Sequence, residues 1–219
     1  LHFSGIINTN RQLSAIQLSQ IMTFLSTSRL PSPDTVHSTL AARRNIRLRH
    51  DANTSALYNS PVLQQWGSSP TSSQILIEGS FANRHAVRDL AIDVLDLVCS
   101  ANIPAAWALD TKACSVDELM STDVMRYLAS QLLKANQALM DEGSASLSAK
   151  LFQSARTEKE WFSLLGVVLE GLQQAYLIID LDLVDRLSDG RSSWLSEFPK
   201  FFDSLRQRNA MTVVKVVFV

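Results

Sequence analysis

Cysteine, glycine and surplus charge are all scarce in this chain. Its 219 residues hold two cysteines, seven glycines and six prolines. Cys99 and Cys114 make neither a disulfide framework nor a zinc motif, and both are expected as buried free thiols beside apolar segments. A chain this long buries roughly 70% of its unfolded surface, so it needs no covalent staple. Twenty basic and 21 acidic side chains give a formal charge of -1, which supplies no bulk attraction to nucleic acid or to a membrane. No run approaches the roughly 18 to 20 apolar residues of a spanning helix. The first residues lack the charged start of a secretory signal. The four histidines show no metal-ligand spacing, and no G-x-S-x-G elbow or acid–histidine cluster marks a hydrolase or a metal site. The expected compartment is reducing and intracellular, cytoplasmic or nuclear. The chain opens at Leu1 and stops within "TVVKVVFV", so both ends are expected to be cut from something longer.

What is there is a change of rhythm near residue 70. Before it the pattern is helical, with Leu13, Ile16, Ile21, Phe24 and Leu25 on one stripe of a helix over 11–26. A proline break and a second helical stretch follow, closing on the basic cluster Arg43, Arg44, Arg47 and Arg49. A loop rich in Gly, Ser and Pro after Trp66 sets the boundary: a helical lead-in over 1–70 and a core over 71–219. In the core, strands alternate with helices. "ILIEG" reads as a strand, followed by a helix with Val87, Leu90, Ala91, Val94, Leu97 and Val98 on its stripe. "IPAAWALD" reads as the next strand, and Ser121 as the cap of a helix running through Leu139 to Gly143. Thr157 and Glu160 form a capping box for the helix "WFSLLGVVLEGLQQ". "AYLIIDLDLVD" reads as a buried strand ending in acids, and "SSWLSEFPKFFDSLRQRN" as a helix that Pro199 kinks or delays. "TVVKVVFV" is the last strand. This alternation predicts an α/β fold with a parallel sheet flanked by helices. Most of the tryptophans, Trp66, Trp107, Trp161 and Trp194, are expected to pack in the core.

Ligands bind at the carboxyl edge of such sheets, and one turn there stands out. "QILIEGSFANRHAVRDLAIDVLDLV" is a strand, a tight turn and a helix, the layout of a phosphate-binding loop. Backbone N–H groups of such a loop cradle phosphates, a lysine reaches the β/γ-phosphates and a hydroxyl holds Mg²⁺. Gly79 is in place. Arg84, His85 and Ala86 stand where glycine, lysine and the hydroxyl residue are expected. Farther on, "LIID" is an apolar strand ending in Asp180, as in a Walker B element.

In this order the segments "IMTFLSTSRLPSP", "AARRNIRLRHDANTSALYNSPVLQQW", "ILIEGS", "AAWALD", "VMRYLASQLL" and "LIIDLDLVD" resemble the NACHT-type P-loop domains of fungal STAND proteins, the NOD-like signalling ATPases. The resemblance spans roughly residues 18–219. It implies a P-loop NTPase-like core in which nucleotide exchange switches an oligomerising signalling protein. Leu183 and Val184 replace the family's acidic pair, and Ala86 offers no oxygen to a metal. His85 carries no permanent charge, and Arg84, though able to fork onto a phosphate, replaces a turning glycine.

The resulting expectation is a pseudo-NTPase: no catalytic residues, no metal and no required cofactor, acting as a scaffold that meets protein partners or its own copies. The degenerate nucleotide site would comprise Gly79, Ser80, Arg84, His85 and Asp180. One alternative is a switch that still holds ATP or ADP without efficient hydrolysis. The other, weaker one is a nucleic-acid-associated factor using Arg43, Arg44, Arg47 and Arg49; the match of this cluster to the arginine pair ahead of the family's core favours a helix-to-core linker instead, solvated or paired internally.

Overall fold

A computed structural model of the chain describes residues 15–26, 30–48, 60–80, 82–110, 119–136, 148–187 and 194–219. Three helices come first: α1 over 15–25, α2 over Pro33–Leu48 and α3 over Pro61–Ser68. Both α2 and α3 open on a proline, where the missing N–H is no loss. The Ser32 hydroxyl accepts the Thr35 N–H ahead of α2. Then follow β1 (Ser73–Leu76), α4 (Arg84–Ser100), β2 (Ala105–Ala108), α5 (Ser121–Ala135), α6 (Ala149–Ser154) and α7 (Glu158–Leu169). The chain closes with β3 (Gln174–Ile179), α8 (Leu181–Leu187), α9 (Trp194–Gln207) and β4 (Val213–Phe218).

The four strands form one all-parallel sheet in the order β1-β4-β3-β2. The central strands β3 and β4 are buried after their first residue, as expected when both faces of a parallel sheet are covered. Alternate side chains serve different faces. Leu177, Ile179, Val216 and Phe218 join the larger core with α1, α5, α6, α7, α8 and α9. Ile178 and Val217 join a smaller core with Val36 and Leu40 of α2 and Ala91, Ile92 and Leu95 of α4. Thus α1 and α2 both pack onto the sheet layers. Aromatic edges fill the larger core, with the Phe198 ring 5.1 Å from that of Phe162 and 5.6 Å from that of Phe218. Trp161 and Trp194 are buried there, whereas Trp66 and Trp107 are half-buried.

Several boundaries differ from the sequence reading, each for a local reason. The strand read as "AYLIIDLDLVD" ends at Ile179, and the acids beyond it begin α8. Asp180 drives the change: its Oδ1 accepts the Leu183 N–H at 3.4 Å, as a helix cap does. The helix opened by the Thr157–Glu160 capping box stops at Leu169, because Gly171 takes a positive φ of 84° and turns the chain into β3. Asn102 and Asn209, each at φ 54°, do the same after α4 and α9. Pro199 neither delays nor ends α9, which runs from Trp194 to Gln207 around it. Its ring leaves the carbonyl of Leu195 without the helical donor, and Gln74 Nε2 of β1 donates to that oxygen at 2.8 Å. The cap of α5 is Met120, not Ser121, and Asp123 holds the Met120 N–H. This helix ends at Ala135; Leu139 and Gly143 lie outside the described residues. The first strand sits two residues earlier than "ILIEG", beginning at Ser73. Leu97, placed on the buried stripe of α4, is 70% exposed, and Cys99 is exposed rather than buried. Cys114 lies outside the described residues. Among the described residues no helix is long and apolar enough to cross a membrane.

Candidate functional site

The topology itself makes the site. After β1 the chain crosses to the far edge through α4, on the face of the smaller core, and after β3 it leaves through α8, on the face of the larger one. Loops that part to opposite faces open a crevice at the carboxyl ends of the strands. A cleft lies there, with a volume of about 880 Å³, within the range of small-molecule sites. Its walls come from Leu76 at the end of β1 and Ile77 to Gly79 after it, Arg84, Val87 and Arg88 of α4, Asp110 after β2, Asp180, Leu181, Asp182, Asp185 and Arg186 after β3, and Val219 after β4.

Gly79 is fixed by close approach. A Cβ there would lie 2.7 Å from Val87 Cγ2 and 3.4 Å from the Asn83 carbonyl, so a side chain on this turn requires Val87 of α4 to give way. The Asn83 N–H bonds the Ser80 carbonyl at 2.9 Å, closing the turn, and Asn83 caps α4 without a side-chain hydrogen bond. The first turn of this 17-residue helix contains no acid. It opens instead on Arg84 and His85, cations or near-cations at the positive end of the helix dipole.

Asp180 is the buried centre of the cleft. Its Oδ2 accepts from Arg88 Nη2 at 3.3 Å and from the Asp110 N–H at 3.4 Å, while Oδ1 takes the Leu183 N–H. Burial pushes its carboxyl above the ordinary aspartate value; the Arg88 charge and the Asp110 N–H oppose that rise, and Asp182 and Asp110 add to it. Beside it, Arg186 Nη2 donates to Asp110 Oδ2 at 2.6 Å. The walls carry five carboxylates (Glu78, Asp110, Asp180, Asp182, Asp185) against three guanidiniums (Arg84, Arg88, Arg186). Asp182 and Asp185, expected on a strand, reach this cleft from α8.

Three of the five residues assigned from sequence, Gly79, Arg84 and Asp180, thus meet in one cleft. Ser80 is exposed on the turn beside it and His85 lines a different cavity. That second cavity, of about 120 Å³, lies between α2 and α4 over Leu40 and Ile92. Desolvation holds the His85 imidazole below its ordinary value, with smaller contributions from the positive charges of Arg47, Arg84 and Arg88; Asp89 opposes them. The basic cluster of α2 faces an acidic row on α4. Arg44 pairs with Asp93 and Asp96, Arg47 forks onto buried Asp89, and His37 Nε2 lies 2.7 Å from Asp96 Oδ1. Arg49 lies outside the described residues.

Sequence reasoning missed Arg88, Asp110 and Arg186. Asp110 was legible as the acid ending the second strand, and Arg88 as the residue one turn after Arg84 on the same helix face. Arg186 had no signal, because its segment was read as strand.

The P-loop resemblance implies Mg²⁺ with a nucleotide, and the residues fit that pair poorly. The carboxylate that would support the metal holds a guanidinium, position 86 offers no hydroxyl, and carboxylates outnumber cations on the walls. Comparison with family models, curated proteins and solved structures returned no match.

Proposed function

We propose that this chain is a catalytically inactive, P-loop-like domain that serves as a scaffold or protein-interaction module. The Arg88–Asp180 pair carries the reading. An aspartate at the end of a buried strand, where such folds recruit a metal, is neutralised by the protein's own guanidinium and two backbone N–H groups. A carboxylate satisfied in this way has little left to offer a cation. The carboxylate-rich walls also repel a polyphosphate that arrives without a metal. What remains at the carboxyl edge is a cleft available to a protein partner, since the same fold supports binding as readily as chemistry.

A second reading has its own support. Gly79 and Arg84 stand together at an α4 N-terminus that lacks acidic compensation, an arrangement suited to holding ATP or ADP without hydrolysis. Thermal shift of the chain with ATP, ADP and GTP, each with and without Mg²⁺, separates the two. Ligand at 100 times its Kd adds about 2.7 kcal/mol, ordinarily several degrees. The scaffold reading expects no shift with any nucleotide. A saturable shift abolished by Arg84→Gln overturns it in favour of the nucleotide-holding switch. The pairing of Arg44 and Arg47 with α4 supports the linker reading of the basic cluster over nucleic-acid binding.

A further inference from the structure

We propose that the outer edge of β1 is a docking site for an extended segment of a partner protein. The segment adds a strand to the sheet and carries lysine or arginine at the end that reaches the large cleft. This deepens the protein-interaction reading, on which it rests, by giving the partner a backbone conformation and a charge.

The two edges of the sheet are finished differently. In a parallel ladder, alternate residues turn their N–H and C=O groups to opposite sides. At β2 the outward-turned residue Trp107 is closed by the Gln131 side chain of α5. Oε1 of that glutamine accepts the Trp107 N–H at 3.1 Å, and Nε2 donates to the Trp107 carbonyl at 2.9 Å. The side chain stands in for a neighbouring strand. At β1 the Ile77 N–H donates to the Phe218 carbonyl of β4 at 2.9 Å, which turns Gln74 and Leu76 outward. The backbone N–H and C=O groups of these two have no partner among the described residues, and Leu76 is 39% exposed. Open backbone of this kind accepts a strand from another chain.

What the edge leads into sets the charge of the partner. Leu76, Ile77, Glu78 and Gly79 continue from β1 into the wall of the large cleft, so a strand laid on β1 runs on into its mouth. Glu78, Asp182 and Asp185 line that cleft and make no ion pair or hydrogen bond among the described residues. Arg88 and Arg186 are already held by Asp180 and Asp110. A cation arriving on the added strand therefore meets carboxylates that no cation of the chain holds, whereas an acid there faces their repulsion. Residues 70–79 contain no lysine or arginine, so a second copy pairing through the same edge brings no cation on its strand. A basic partner segment fits better than a copy.

Hydrogen exchange by NMR on the whole 219-residue chain tests this. In the free chain the amides of Gln74 and Leu76 should exchange at least about 10-fold faster than those of Ile75 and Ile77. A peptide of alternating valine and threonine with two arginines at each end should slow both, saturably. Replacing its arginines by glutamates should weaken binding at least about 3-fold at low salt. Glu78→Gln, a change at an exposed side chain, should narrow that difference. Leu76→Pro removes one outward N–H where edge strands tolerate proline, and should abolish the slowing at Gln74. Slow exchange of both amides in the free chain overturns the proposal. So does the absence of slowing with either peptide, equal binding of the two, or an undiminished response in Leu76→Pro. Slowing that grows with the chain's own concentration assigns the edge to a second copy and overturns it as well. A saturable nucleotide shift removes the scaffold reading itself, whereas failure of the peptides without that shift removes only this edge as its docking place.

Discussion

At the amino ends of the strands a lysine is sealed among neutral oxygens, and at their carboxyl ends an aspartate is sealed against an arginine. Lys215 of β4 is fully buried; its Nζ donates to the carbonyls of Trp66 and Thr71 at 2.8 and 2.9 Å and to Ser73 Oγ at 3.1 Å, 5.6 Å from the centre of the Trp66 ring. Among the described residues it has no carboxylate partner. Its three donors are all used, so it ties α3 and the following loop to the sheet and has nothing to offer a ligand. Asp180 is nearly as buried, yet it opens onto a cleft of about 880 Å³ and depends on a half-buried cation that reaches in from α4. Burial of charge therefore does not by itself locate function. The end whose charge is satisfied by a fixed cage is structural; the end whose partner could be exchanged is the candidate site.

The strongest test of that contrast is removal of the caged charge. Lys215→Ala should cost about 3–4 kcal/mol in urea unfolding, from the cavity and the two orphaned carbonyls together. Lys215→Met, which keeps the volume, should cost less. Burial holds the ammonium below the ordinary lysine value. The native state therefore releases this proton at lower pH than the unfolded chain, and stability should rise with pH in the window just below that ordinary value. Lys215→Met should flatten the rise; if the slope survives, the cage is not its source.

The sequence made the two ends unequally legible. Hydrophobic runs placed β2, β3 and β4 on the right segments, because a buried parallel strand needs apolar side chains on both faces. The turn at Gly79 was legible too, since strand, glycine and helix follow one another within a few residues. Lys215 was invisible: a lone lysine inside "TVVKVVFV" gives no hint that Trp66, 149 residues earlier, supplies an acceptor for it. Arg88 was hidden for the same reason, its partner being 92 residues away. The α8 boundary failed because "LIIDLDLVD" has the apolar content of a strand, and only the Asp180 cap decides between strand and helix.

At the other end of the sheet, Arg88→Ala should cost about 2–3 kcal/mol. That is less than the roughly 3–5 kcal/mol for breaking a fully buried pair, because Arg88 is partly solvated. The burial-raised pKa of Asp180 gives the sign of its pH dependence. The unfolded carboxyl ionises first, so stability should fall as pH rises from the ordinary aspartate value through the raised one, more steeply in Arg88→Ala. Asp180→Asn in the same chain should recover most of the loss and remove the fall. If the double variant is no more stable than Arg88→Ala, the two side chains are not coupled and the exchangeable-partner argument goes with them.

Gly79→Ala should be milder, about 1–2 kcal/mol, because the added methyl meets the end of the Val87 side chain before it meets backbone. Val87→Ala in the same chain should relieve that clash specifically. This distinguishes a glycine required by packing against α4 from one required to let a phosphate approach, since only the first is rescued from the helix side.

The smallest expected effect is also the sharpest on where the site ends. Ser80 sits on the same turn as Gly79, one residue away, but exposed and outside the lining of either cavity. Ser80→Ala should change stability by no more than about 0.5 kcal/mol, measured beside Gly79→Ala under the same conditions. A loss matching that of Gly79→Ala would mean that the Ser80 hydroxyl helps to hold the turn. The turn would then be maintained by side-chain bonding as well as by the tight packing of Gly79, and the line drawn between a caged structural end and an open, exchangeable end would have to move inward to Asp180.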